Sequence, residues 1–97
     1  MKILALEREN PGALVGQLQP HLKAEARKVW ELYQKGIIRE LYFSADRHEA
    51  VLIMECADAA EAQNALAELP LVQARLITFD IIPLVPYSGF ERLFVEY

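Results

Sequence analysis

Cysteine is nearly absent from this chain: Cys56 stands alone among 97 residues. One thiol excludes an intrachain disulfide and a cysteine metal set, and it fits a reducing, cytoplasmic location. Histidine is scarce as well, with only His21 and His48. Neither stands at a metal-ligand spacing from Cys56, so no metal is expected. The four glycines are isolated, which removes a phosphate-cradling loop, and no nucleophile elbow or serine triad pattern occurs. No apolar run reaches the length of a membrane span. The N-terminus, MKILALERENPG, reaches its charges before any signal-length apolar stretch, so no leader is expected. Basic clusters are missing too. Ten Lys and Arg face fourteen Asp and Glu, for a net charge of −4. The densest basic group, Lys23, Arg27 and Lys28, alternates with Glu25 and Glu31 on one helix and reads as a solvated face. A nucleic-acid surface is therefore not expected.

What the chain has in excess is apolar surface. At 54% the hydrophobic fraction is high for a single small domain, and the surplus suggests an oligomer. The surplus is concentrated in LPLVQARLITFDIIPLVPY at 69–87. Its strand, 76–82, is entered through a turn marked by Pro70 and closed by Pro83 and Pro86. Ile77, Phe79 and Ile81 point one way; Leu76, Thr78, Asp80 and Ile82 point the other. Neither side is a solvent face, and a strand apolar on both sides must be covered on both. Two helices can cover one side, so a second copy is expected on the other.

Around this strand the remaining elements follow in order. A short strand, 2–8, ends at the turn signal Asn10-Pro11-Gly12. Residues 13–19 read as a packed loop. A helix starts near Pro20 with Leu22, Ala26, Val29, Trp30 and Tyr33 as its stripe, and Gly36 stops it. Trp30 is expected in the core. Strands at 37–44 and 48–56 flank a hairpin loop at Ala45-Asp46-Arg47. Asp58 caps a second, alanine-rich helix, with Glu61 completing a capping-box-like pair. The order is strand, helix, strand, strand, helix, strand: a ferredoxin-like βαββαβ α+β fold. Right-handed crossovers give the sheet order 4-1-3-2 with two helices on one face. Residues 1–87 form this domain. The tail, 88–97, is rich in aromatics at Phe90, Phe94 and Tyr97 and is expected to dock on a partner subunit.

From Gly36 onward the chain resembles the muconolactone isomerase-like members of the dimeric α/β-barrel superfamily. GIIREL at 36–41, the apolar strand at 50–54, and Leu69-Pro70-Leu71 with Asp80 and Pro86 behind it carry the resemblance. The N-terminal third agrees in architecture only. The resemblance implies that two ferredoxin-like subunits join their sheets into a barrel. It also implies a proton shift in a small lactone without metal or organic cofactor. Arg39 and Asp80 carry over as polar positions in matching strand segments.

Asp80, between Phe79 and Ile81, is the leading catalytic candidate, as a carboxylate whose desolvation raises its pKa. The plainer alternatives are an ion pair with Arg39 or an edge position wetted by solvent. Arg39 offers a guanidinium fork for a substrate carboxylate; alternatively it pairs with Glu55 or Asp80, or across a subunit interface. Tyr42 and Tyr87 are candidate hydrogen-bond donors to an enolate, or ordinary interface aromatics. Thr78 shares the face of Asp80. Glu7 shares the face of Ile3 and Ala5 and could meet Asp80 in one cavity, or end a strand in solvent. Cys56 reads as a small buried hydrophobe.

The sequence thus supports a cofactor-independent isomerase-like enzyme moving a proton in an apolar cavity. It would be a homodimer or a higher multiple, taking a small apolar or carboxylate-bearing ligand, with no nucleic acid or membrane partner. The alternative is a non-catalytic ligand-binding or assembly protein of the same barrel type.

Overall fold

Strict alternation in Lys2–Glu9 makes β1, with Ile3 and Ala5 fully buried on one side and Leu4 and Leu6 half-buried on the other. This computed structural model describes residues 1–96, the side chain of Val15 excepted. β1 pairs antiparallel with β3 (Ala50–Glu55) and β4 (Ile77–Pro83), and β2 (Ile38–Phe43) flanks β3. The sheet order β2-β3-β1-β4 is the expected 4-1-3-2 read from the other edge.

Each connection has a local cause. Gly12 takes a φ of +85° in the Asn10-Pro11-Gly12 turn, and the Asn10 amide donates to Leu76 O (2.9 Å), tying that turn to the start of β4. Residues 13–19 are not a loop: they hold a single helical turn, α1 (Val15–Leu18), which runs through Gln19–His21 into α2 (Leu22–Gln34). The Gln17 side chain accepts the Leu14 amide at 2.8 Å and so starts that turn. α2 ends where expected. Gly36 sits at φ +77°, while Gly36 N donates to Tyr33 O (3.0 Å) and Ile37 N to Leu32 O (3.0 Å). Asp58 accepts the Glu61 amide (2.8 Å) to start α3 (Ala59–Leu66). The Glu61 carboxylate reaches back one residue further than expected, to Ala57 N (3.2 Å). Pro70 opens a short helix, α4 (Pro70–Gln73), where a turn was expected. That helix closes like α2, with Leu76 N on Leu71 O (3.0 Å), but Arg75 rather than glycine takes the left-handed position, at φ +61°.

The core lies between one face of the sheet and the helices. Ile3, Ala5, Ile38, Leu52, Met54 and Cys56 meet Leu32, Ala62, Leu66 and Leu69. Burial pushes the Cys56 thiol pKa up, as suits a small core residue. α3 packs an alanine-rich face on this core, burying Ala62 and Leu66. α2 does not: among its residues only Leu32 is fully buried. Trp30 was expected in the core; it is 57% exposed, because α2 meets the sheet near its C-terminal end and stands away from it elsewhere.

The other sheet face carries Leu4, Leu6, Val51, Ile53 and Ile82, framed by charged residues. Beyond β4 the tail leaves the domain through Leu84, whose amide donates to Lys2 O (2.9 Å), and makes a 3-10 turn over Gly89–Phe94. Phe90, Leu93 and Phe94 are exposed there; Tyr97 lies outside the described residues. The Cα radius of gyration, 16.2 Å, exceeds the roughly 13 Å of a compact chain of this size, and the long dimension of 59 Å reflects the projecting tail.

The two left-handed helix ends test this account. Gly36→Ala should cost about 1 kcal/mol through backbone strain, since its new Cβ would meet only ordinary contacts at 3.7 Å. Arg75→Gly should change stability in the opposite direction by a similar amount. Urea unfolding of both variants checks the pair.

Candidate active site

The gap under α2 is the site. It is a cavity of about 780 Å³ between α2 and the helix-side face of the sheet. Its walls are largely apolar: Leu22, Val29, Trp30 and Tyr33 from α2, Phe43, Leu52 and Phe79 from the strands, and Leu69 and Leu71 from the approach to β4. Trp30 and Tyr33 stack with ring centroids 5.9 Å apart. The stripe that reads as a core face in sequence is therefore the wall of a hollow.

Three carboxylates interrupt these walls, Glu7, Glu9 and Glu25, of which Glu9 is exposed and the other two are half-buried. Glu7 continues the Ile3–Ala5 row of β1 and faces Phe79 across the strand pair. One of its oxygens accepts the Ala50 amide at 3.1 Å. Burial raises its pKa, the Ala50 hydrogen bond opposes that rise, and the charges of Glu49 and Glu9 add to it. Glu25 comes from the first turn of α2, and one of its oxygens accepts the Leu71 amide at 2.9 Å. Its pKa is raised by burial, with Leu71 opposing and the charge of Glu7 adding. Among the described residues neither carboxylate has a hydrogen bond to its second oxygen. His48 lines the cavity, with its ring flat against Phe43 at 4.0 Å.

The residues singled out in the sequence divide differently. Asp80 does lie opposite Ile77, Phe79 and Ile81, but on the open sheet face, where it is 58% exposed and paired with Arg8 (3.2 Å). It is neither desolvated nor paired with Arg39. Thr78 sits beside it, opposite Arg8, also exposed. Glu7 and Asp80 share no cavity: successive residues of adjacent strands fall on opposite faces, and Asp80 faces Leu6 while Glu7 faces Phe79. Nor does Glu7 end a strand in solvent. Arg39 falls in a register shift of β2, which takes it out of the apolar row with Leu41. Its Nε donates to Gly36 O at the surface. Tyr42 is exposed at the cavity edge and donates to Glu40 at 2.7 Å; that hydrogen bond raises its pKa. Tyr87 lies beyond the end of β4, exposed and edge-on to Phe90.

Glu25 was missed because it reads as one charge in a solvated helical face. Its one signal was its spacing. Glu25, Ala26, Val29, Leu22 and Tyr33 occupy neighbouring helical positions, so the carboxylate borders the apolar stripe. Among the described residues no group of three His, Cys, Asp or Glu is placed to hold a metal ion, and no helix is long and apolar enough to cross a membrane.

The fold has solved counterparts. A muconolactone isomerase structure superposes with a TM-score of 0.73 at 14% identity, covering 92% of this chain and 93% of the other. A 5-chloro-2-hydroxyhydroquinone dehydrochlorinase from Burkholderia phenoliruptrix, in complex with 2,5-dihydroxybenzoquinone, superposes at 0.68 with 17% identity, covering 92% and 98%. At such identities the likeness is one of fold. No curated protein sequence matches the chain. The sequence model of muconolactone delta-isomerase, however, matches residues 9–89, which run from the last residue of β1 past β4 and include the cavity-lining residues other than Glu7. That span places the chain in the muconolactone delta-isomerase family.

Proposed function

We propose that the chain is a cofactor-independent enzyme that moves a proton within a small unsaturated ring compound, with Glu7 and Glu25 as the acid–base pair. The observation that carries this reading is the pair itself. Two carboxylates with raised pKa values stand in one largely apolar cavity, each fixed through one oxygen and free at the other. A carboxylate moved toward neutral pH both takes and returns protons. One carboxylate would remove a proton from a carbon next to a carbonyl, leaving the electron pair delocalised as an enolate. The other, protonated, would supply a proton further along the conjugated system, so the double bond moves with no net loss of atoms. The flat walls of Trp30, Tyr33, Phe43 and Phe79 suit a planar ring, as does the quinone held by the dehydrochlorinase of the same fold.

In this reading the chemistry belongs to Glu7 and Glu25 in place of Asp80. Glu25→Gln and Glu7→Gln should each lower turnover of an unsaturated lactone by roughly 10²–10⁴-fold, measured by ultraviolet absorbance. Asp80→Asn should leave it unchanged. A purely binding protein would show no turnover in any form.

The raised pKa values add a stability test. The folded chain holds these two protons more tightly than the unfolded chain. That contribution is complete below the ordinary value of 4.5 and is lost as pH rises through the raised folded-state values. Each Glu→Gln variant should therefore melt higher than the parent at neutral pH, with the difference closing under acid. Thermal melts across this pH range check the sign.

The same reading extends to assembly. Leu4, Leu6, Val51 and Ile53 on the open sheet face, together with the exposed Phe90, Leu93 and Phe94, are apolar surface that a second copy would cover. Removing residues 88–97 should weaken association more than it lowers the melting temperature. Light scattering alongside thermal melts separates the two effects; a parent chain that stays monomeric at micromolar concentration would overturn this part.

A further inference from the structure

A proton shift shared between two carboxylates leaves the site inverted. The group that took a proton from carbon ends the turnover protonated, and the group that supplied one ends it ionised. The next turnover in the same direction must wait until both are reset. Among the described residues no hydrogen bond joins Glu7 to Glu25. One stands on the sheet, held by the Ala50 amide at 3.1 Å, and the other on α2, held by the Leu71 amide at 2.9 Å. The proton therefore has no direct bridge between them.

The chain has two histidines, and the fold sets one beside each carboxylate. His48 lines the cavity two residues before Ala50, whose amide holds Glu7. It takes a left-handed backbone, φ +56°, which is uncommon outside glycine, and its ring lies on Phe43 at 4.0 Å, within 18° of parallel. The hairpin behind it is closed by Ser44 N on Glu49 O (2.8 Å) and Glu49 N on Ser44 Oγ (3.1 Å). The ring is thus fixed on the cavity wall while the residue stays exposed to water. His21 is the residue just before α2, half-buried and four positions ahead of Glu25, so the two share one side of the helix. Burial dominates both raised carboxylate pKa values; among the smaller effects, the charge of His48 opposes the rise at Glu7 and that of His21 opposes the rise at Glu25. An imidazole accepts a proton at one ring nitrogen and releases one from the other. Arg47, next to His48, cannot do this, because a guanidinium keeps its protons.

We infer that His48 and His21 are relay residues, carrying protons between solvent and Glu7 and Glu25 respectively and so resetting the pair after each turnover. The protonated carboxylate gives its proton to the neutral imidazole beside it, which passes one to water. The other imidazole, protonated, gives its proton to the ionised carboxylate and regains one from water. The protein ends with the proton count it began with. Neither histidine needs to touch the substrate.

This relay presupposes the proton-transfer reading of the cavity, and the two fail in different ways. The test separates the first turnover from later ones, by rapid mixing with α-angelica lactone and ultraviolet detection of the conjugated product. His48→Asn keeps a side chain that tolerates the left-handed backbone, and His21→Gln keeps one that suits a helix start. In each variant the first turnover should run close to the parent rate, which also shows that the variant is folded. Later turnovers should slow by roughly tenfold or more, so that product appears as a burst. Free imidazole should restore the later turnovers and leave the first unchanged, which a merely structural role would not produce. Parent protein equilibrated in deuterium oxide should deliver deuterium to the product. A first turnover slowed as much as the later ones, a steady rate untouched by either substitution, or a parent product that keeps the substrate's own hydrogen would overturn the relay. No turnover by the parent at all would instead remove the proton-transfer reading, and the relay with it.

Discussion

The structure depends on how differently its two long helices meet the sheet. α3 buries Ala62 and Leu66 in the core, with the half-buried Ala65 beside them. α2 is anchored by Leu32, with Val29 packed beside it. Toward its first turn it is held by a polar strut, the Leu71 amide on the Glu25 carboxylate at 2.9 Å. Lys28 links the same helix to Glu68 at 3.2 Å, but an exposed pair of this kind contributes little. One apolar anchor and one polar strut leave a space between helix and sheet, and every candidate functional residue follows from that space.

The strut has a cost that helps explain the site. A carboxylate half removed from water is unfavourable when ionised, and one backbone hydrogen bond offsets only part of the penalty. Glu7 and Glu25 are both in this position, and the charge of Glu7 adds to the rise at Glu25. Packing alone would favour apolar side chains at both places. Among its described residues the chain buries no polar side chain fully and leaves no buried side-chain polar atom unpaired; Glu7 and Glu25 are half-buried carboxylates in the cavity wall.

Membership of the muconolactone delta-isomerase family fits this architecture. The opposite sheet face is a different kind of surface. There Asp80 pairs with Arg8, which also approaches Glu49 at 3.8 Å, around an apolar centre of Leu4, Leu6, Val51 and Ile53. Charges at the border and aliphatic side chains in the middle make up the surface that the proposed second copy would cover.

The sequence by itself determined the sheet order, the glycine end of α2, the Asp58 start of α3 and the side of the sheet on which the residues of β1 and β4 fall. Those properties follow from local rules: period-two alternation, glycine at a left-handed helix end, and the right-handed crossover. Alternation was enough to put Glu7 with Ile3 and Ala5, and Asp80 opposite Ile77, Phe79 and Ile81. It could not say which face contained the hollow, because a helical apolar stripe looks the same whether it touches a sheet or stands over a gap. Only the tertiary structure decided that Trp30 and Tyr33 form a wall, that Glu25 borders a cavity instead of bulk water, and that a register shift removes Arg39 from its row. The first two depend on the distance between a helix and a sheet, a quantity set by side chains remote in sequence that pack on both at once; the third depends on how β2 pairs with β3.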